Sequence, residues 1–122
     1  MRHEVTDDDT AAALGSGDVP VLATPRLVAW MEAATVLAAA DLLGTGQTTV
    51  GTALRVEHRR PTPVGEHVEV TATLASQSGR RLTFGVSAVD SGGQVVGTGE
   101  IDRVTVEREA FLEAASAALR AE

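Results

Sequence analysis

This sequence contains no cysteine and no lysine. Without cysteine there is no disulfide, no thiol nucleophile and no cysteine-ligated zinc or iron–sulfur cluster, a composition that fits a reducing compartment. All ten basic residues are arginine, which excludes Schiff-base chemistry, a P-loop lysine and a Ser-Lys dyad. Aromatics are scarce too. Only Trp30, Phe84 and Phe111 are present, and the net charge is −7; a nucleic-acid surface needs a basic field and stacking platforms, so no nucleic-acid partner is expected. The opening "MRHEVTDDDT" is too polar for a secretion signal, and no uninterrupted apolar run reaches the roughly 18 to 20 residues of a membrane span. The expectation is a cytoplasmic protein with no membrane partner. His3, His58 and His67 show no HxxxH or HxH spacing, there is no GxSxG elbow, and "GTGEID" lacks the third glycine and following helix of a dinucleotide fingerprint. Neither a metal nor a cofactor is expected.

What is present suggests one domain over residues 1–122, long enough to bury about two-thirds of its unfolded surface. Residues 1–20 read as a short strand at "HEVT", a helical turn at "DDDTAAAL" and the turn-rich "GSGDVP". A long helix follows, with Thr24 as N-cap, Pro25 at the first helical position and Gly44 as its end. From Leu27 to Ala40 it has no polar face, so it should be buried nearly all round. After "GTGQ" the period changes to two. "TVGTALRVEHRR" puts Val50, Leu54, Val56 and His58 on one face; "HVEVTATL" and "RLTFGVSAVD" alternate in the same way, and "QVVGTGEIDRVTVE" is a last strand whose glycines mark bulges or close approach. "REAFLEAASAALRA" is a C-terminal helix, amphipathic through Phe111, Leu112, Ala115 and Leu119. The class is α+β, a helix laid on an antiparallel sheet.

Glu32 is the one ionisable residue between Leu27 and Ala40. In that setting it is either a structural glutamate paired with an arginine or a partly desolvated carboxylate suited to acid–base work. His58 shares a strand face with Leu54 and Val56 just before Pro61, where an imidazole serves either packing or a cleft. His67 and His3 are expected to be solvated. Arg59-Arg60 and Arg80-Arg81 are either solvated strand ends or a seat for the phosphates of a nucleotide-bearing thioester.

Together, "TPRLVAWMEAA", "VGTALRVEHRRPTPVG", "GRRLTFGVSAVD" and "GTGEIDRVTVEREAF" resemble the hotdog-fold acyl-CoA thioesterases of the fluoroacetyl-CoA thioesterase-like group, in order, over residues 21 to 112. The resemblance implies a hotdog domain that hydrolyses an acyl-CoA or related thioester without a metal. It implies catalytic roles for Thr24, Glu32 and His58 and substrate-binding roles for Gly51 and Arg103; the phosphate seat read at Arg59 and Arg60 suits the CoA of such a substrate. Two positions depart from the family pattern: Ile101 replaces a histidine of a "THER"-like stretch, and residues 1 to 23 hold no aromatic that could serve as the lid residue associated with the fluorinated substrate. The resemblance therefore implies thioester hydrolysis rather than a fluoroacetyl preference. Thr24 and Glu32 lie about 12 Å apart along one helix axis, too far for contact within one chain. The resemblance implies a homodimer or higher homo-oligomer with sites at the subunit interface, where the threonine of one chain could face the glutamate of another. Two rivals share the fold: a non-catalytic acyl-CoA-binding module, and a dehydratase or hydratase acting on a 3-hydroxyacyl chain.

Overall fold

A computed structural model describes residues 1–121. Strand β1 (Arg2–Glu4) leads through a short 3-10 turn to helix α1 (Ala11–Leu14), and the long helix α2 (Thr24–Ala39) follows. Strands β2 (Gln47–His58), β3 (His67–Ser78), β4 (Arg81–Asp90) and β5 (Val95–Glu107) come next, then helix α3 (Arg108–Ala121). The five strands form one antiparallel sheet in the order β1-β3-β4-β5-β2. Among the described residues, no helix is long and apolar enough to cross a membrane.

Helix α2 lies on one face of this sheet. Leu27, Met31 and Ala34 pack against Val68, Val70, Val86, Ala88, Val96 and Ile101. Burying a side chain of Leu or Met size contributes about 1.5 to 3 kcal/mol, so this layer is the main source of stability. Gly97 makes the close approach possible: a Cβ there would stand 2.9 Å from the Glu57 carbonyl oxygen and 3.1 Å from Leu27.

Three local expectations are corrected. Ala23, not Thr24, is the N-cap, with extended backbone and its carbonyl accepting from the Leu27 N–H; Thr24 begins the helix itself, and Pro25 comes second. The helix ends at Ala39 and tightens into a 3-10 turn over Ala40–Leu42 before Gly44. His3 is not solvated: its ring stacks on Trp30 with centroids 4.3 Å apart, and burial is the main cause that lowers its pKa.

The fourth correction shapes the site. Between Gly51 and Ala53 the β2–β5 register shifts, leaving Thr52 as the extra residue of a bulge. An inserted residue reverses the alternation beyond it. Leu54, Val56 and His58 pair with Ile101, Gly99 and Gly97, whereas Gly51 and Thr49, not Val50, pair with Arg103 and Thr105 on that same helix-facing side.

The helix is also less covered than its sequence implies. Within one chain Val36 is 48% exposed, Leu37 61% and, on β2, Leu54 49%. The stripe on α3 is open as well, with Phe111, Leu112, Ala115 and Leu119 all exposed.

Candidate active site

Ala23 has no side-chain oxygen with which to cap the helix, and Thr24 is already inside it, so the Thr24 hydroxyl has no capping duty. It meets the His58 imidazole instead, Oγ1 to Nδ1 at 2.7 Å. His58 arrives there because the last residues of β2 keep its ring on the helix side, opposite Gly97. Burial pushes the imidazole below its ordinary pKa, with a backbone group of Arg60 partly opposing the shift. The ring is therefore neutral at pH 7 and able to take a proton. Its Nε2 is buried without a hydrogen-bond partner among the described residues. Thr24 and His58 border a cleft of about 320 Å³, which Arg59, Arg60 and Pro61 also line.

Eight residues further along α2, Glu32 opens into a second recess of about 330 Å³ with Gly51, Thr52, Ala53 and Leu54. Its Oε2 lies 3.7 Å from Arg103 Nη1, and the glutamate side chain is 40% exposed while that of Arg103 is 8% exposed. Gly51 gives the carboxylate room. A Cβ at that position would stand 3.0 Å from Glu32 Oε2 and 3.4 Å from Arg103 Nη1. Arg103 Nε donates to Thr49 Oγ1 at 2.8 Å and Nη2 to the Thr49 carbonyl at 3.1 Å. Burial lowers the Arg103 pKa and the Glu32 charge opposes that; a guanidinium starts so high that it stays charged.

The structure thus brings Thr24 to His58, and Glu32 to Gly51 and Arg103. It does not bring the two groups into one recess. Among the arginines, Arg59 is exposed and paired with Glu57 at 3.1 Å, while Arg60 has no ion-pair partner among the described residues. Arg81 is committed to Asp102 at 2.8 Å. That bond and another from Thr83 lower the Asp102 pKa. A further depression, about 530 Å³, lies by Arg2, His67, Glu69, Asp90 and Ser91 and holds none of Thr24, Glu32 and His58. Much of its polar lining is already engaged: His67 with Glu4 at 3.7 Å, Ser91 with Glu66, and Asp90 with the N–H groups of Gly92 and Gln94. Volume is a poorer guide here than free chemistry.

The sequence profile of the fluoroacetyl-CoA-specific thioesterases, FlK, matches residues 5–109. The chain belongs to that family. A fluoroacetyl-CoA thioesterase of Streptantibioticus cattleyicolor is 44% identical over 91 residues, 75% of this chain and 65% of that relative, so the match spans just under two-thirds of the relative's length. A crystal structure of a mutant of the fluoroacetyl-CoA-specific thioesterase FlK, in complex with fluoroacetate and CoA, superposes with a TM-score of 0.87 at 36% identity, covering 95% of this chain and 94% of that one. A Thermus thermophilus member of the thioesterase superfamily gives a TM-score of 0.89 at 26% identity over 100% of this chain and 92% of that one. The hotdog fold expected from the sequence is the fold found.

Against the family pattern, Ile101 is a core residue, 1% exposed and packed in the layer beneath α2. A histidine there would have to be buried in that apolar layer. The residue that sequence reasoning missed is Thr49. Nothing in the alternation of β2 marks it, because the bulge that turns it inward is a feature of the pairing with β5.

Proposed function

We infer that this chain hydrolyses an acyl-CoA or related thioester at sites completed by two copies of itself. The observation that carries the reading is Glu32: the one ionisable residue of α2 from Leu27 to Ala39, opening into a recess beside a glycine that leaves it room. The curated relative is named a fluoroacetyl-CoA thioesterase, and a structural relative holds fluoroacetate and CoA. In the proposed reaction Glu32 either takes a proton from water as the water attacks the thioester carbonyl, or attacks that carbon itself to form a mixed anhydride, which water then cleaves to release the acid and restore the carboxylate. The C–S bond breaks, and the departing thiolate takes a proton relayed by His58. Thr24 orients the imidazole and the water or substrate. Arg103 and the Gly51 backbone lie at the acyl end, and Arg59 and Arg60, on the Thr24 cleft, at the phosphates of CoA.

The two-copy arrangement is supported by what one chain leaves open. Strand β2 is 12 residues long and stands at the sheet edge, where unpaired backbone groups favour pairing with another chain. Leu54 on that strand and Val36 on α2 are each about half exposed, and Leu37 on α2 is 61% exposed. We propose that the chain acts as one domain in the cytoplasm.

The test is release of free thiol from a panel of short, medium and aromatic acyl-CoAs, with a 3-hydroxyacyl-CoA included. Thiol release supports the hydrolase; double-bond formation without thiol release means a dehydratase, and saturable binding without turnover means a binding module. Acid quench during turnover separates the two roles of Glu32, because an acyl mass increment on its peptide marks the nucleophile.

A further inference from the structure

Arg103 is buried, 6% exposed, and a guanidinium is a rigid planar fork. Fixing two contacts on one edge fixes the plane and the direction of the remaining nitrogen. Thr49 makes both contacts, its hydroxyl with Nε at 2.8 Å and its carbonyl with Nη2 at 3.1 Å. Nη1, on the other side of the fork, lies 3.7 Å from Glu32 Oε2. Glu32 itself lacks such restraint: its side chain is 40% exposed and has several rotatable bonds. Gly51 yields space to it but holds nothing.

We propose that Thr49 is a positioning residue, which through Arg103 sets the direction of the Glu32 carboxylate at the reacting carbonyl. The inference rests on the role given to Glu32 above. Its origin is the bulge at Thr52, which turns Thr49 and Gly51 to the helix side together. One extra residue thereby supplies both the hydroxyl that grips the guanidinium and the gap that admits the carboxylate. Valine has the shape of threonine and suits a strand equally well. Only the hydroxyl makes the difference.

The experiment uses the full chain with three substitutions, Thr49→Val, Thr49→Ser and Glu32→Gln, and the acyl-CoA of the panel that is turned over fastest. In a folded Thr49→Val protein kcat should fall roughly tenfold to a hundredfold, the scale of a misplaced catalytic group, with KM changed less than about twofold. Thr49→Ser should restore most of the rate. The Arg103 Nε–H resonance reads the contact without turnover: its hydrogen exchange should be slow in the wild type and in Thr49→Ser, and fast in Thr49→Val. Wild-type kcat in Thr49→Val, a Thr49→Ser protein no better than Thr49→Val, or fast Nε–H exchange in the wild type overturns the proposal. Should Thr49→Val fail to fold, Thr49→Ala is compared with Thr49→Ser by the same criteria. Failure of the parent reading looks different, since Glu32→Gln would then hydrolyse normally whatever Thr49 does.

Discussion

At the start of α2 a hydroxyl meets a neutral imidazole at 2.7 Å, with neither group in an ion pair. Eight residues on, a carboxylate faces a buried guanidinium at 3.7 Å, and a threonine grips the far side of that guanidinium. The first pair is held by one hydrogen bond, and burial favours its uncharged imidazole. The second is a fixed charge whose partner is paired before any substrate arrives. Pairing the carboxylate with Arg103 lets one site hold a proton carrier and an anion without the anion drawing a proton onto the carrier at rest. Neither half is complete by itself.

Removing the anion should have the largest effect. Glu32→Gln keeps the shape of the side chain but can neither accept a proton nor attack, so turnover should drop by roughly a thousandfold, within the range of positioned acid–base groups. Circular dichroism and a thermal melt check that the fold survives. A folded variant with near-normal hydrolysis would leave Glu32 a structural partner of Arg103.

If the two halves meet only across subunits, two dead proteins should make a live one. Thr24→Ala and Glu32→Gln chains, unfolded together and refolded, should form mixed dimers in about half of all pairings, each with one site intact. Activity should then recover to about a quarter of the wild type. A mixture that native mass spectrometry shows to contain the heterodimer, but that is no more active than its parents, would place all three side chains in one protomer.

The two halves were not equally legible in the sequence. The α2 face that buries Leu27 and Met31, the alternation of β3 and β4, and the order of elements all follow from periods of 3.6 and 2, which any chain displays before folding. Glu32 and His58 stood out as single polar residues on apolar faces, while Thr24 joined them only through the resemblance to the family. What surrounds them did not. The grip of Thr49 on Arg103 depends on a bulge in the β2–β5 register, and the hydroxyl of Thr24 was expected to cap a helix whose N-cap is Ala23. The open faces of α2 and α3 were likewise hidden, since apolar periodicity says that a surface seeks cover but not which molecule covers it.

Charge outside the two halves should matter less. Replacing Arg59 and Arg60 together by glutamine should raise KM for CoA thioesters several-fold, roughly the worth of one or two phosphate contacts. N-acetylcysteamine thioesters lack those phosphates and should be little affected. An equal loss on both substrates would return the two arginines to the role of solvated strand ends.

The smallest effect separates the halves by pH. The folded-state pKa of His58 lies below its ordinary value of 6.5, so the unfolded chain binds the proton more readily than the folded one. Folded stability contributed by the neutral ring is then fully present above 6.5, falls as pH drops from there toward the folded pKa, and levels off below it. His3 shifts in the same direction, so the wild type should show both contributions and a His58→Gln protein only that of His3. Melting temperatures measured in steps from pH 7.5 down to 5 should therefore decline less steeply in the variant. The neutral Thr24–His58 pair predicts that difference; the Glu32–Arg103 pair, left unchanged by the substitution, cancels from it. Parallel declines in the two proteins would mean that His58 is not held neutral by burial, and the contrast between an uncharged and a charged half of the site would be lost.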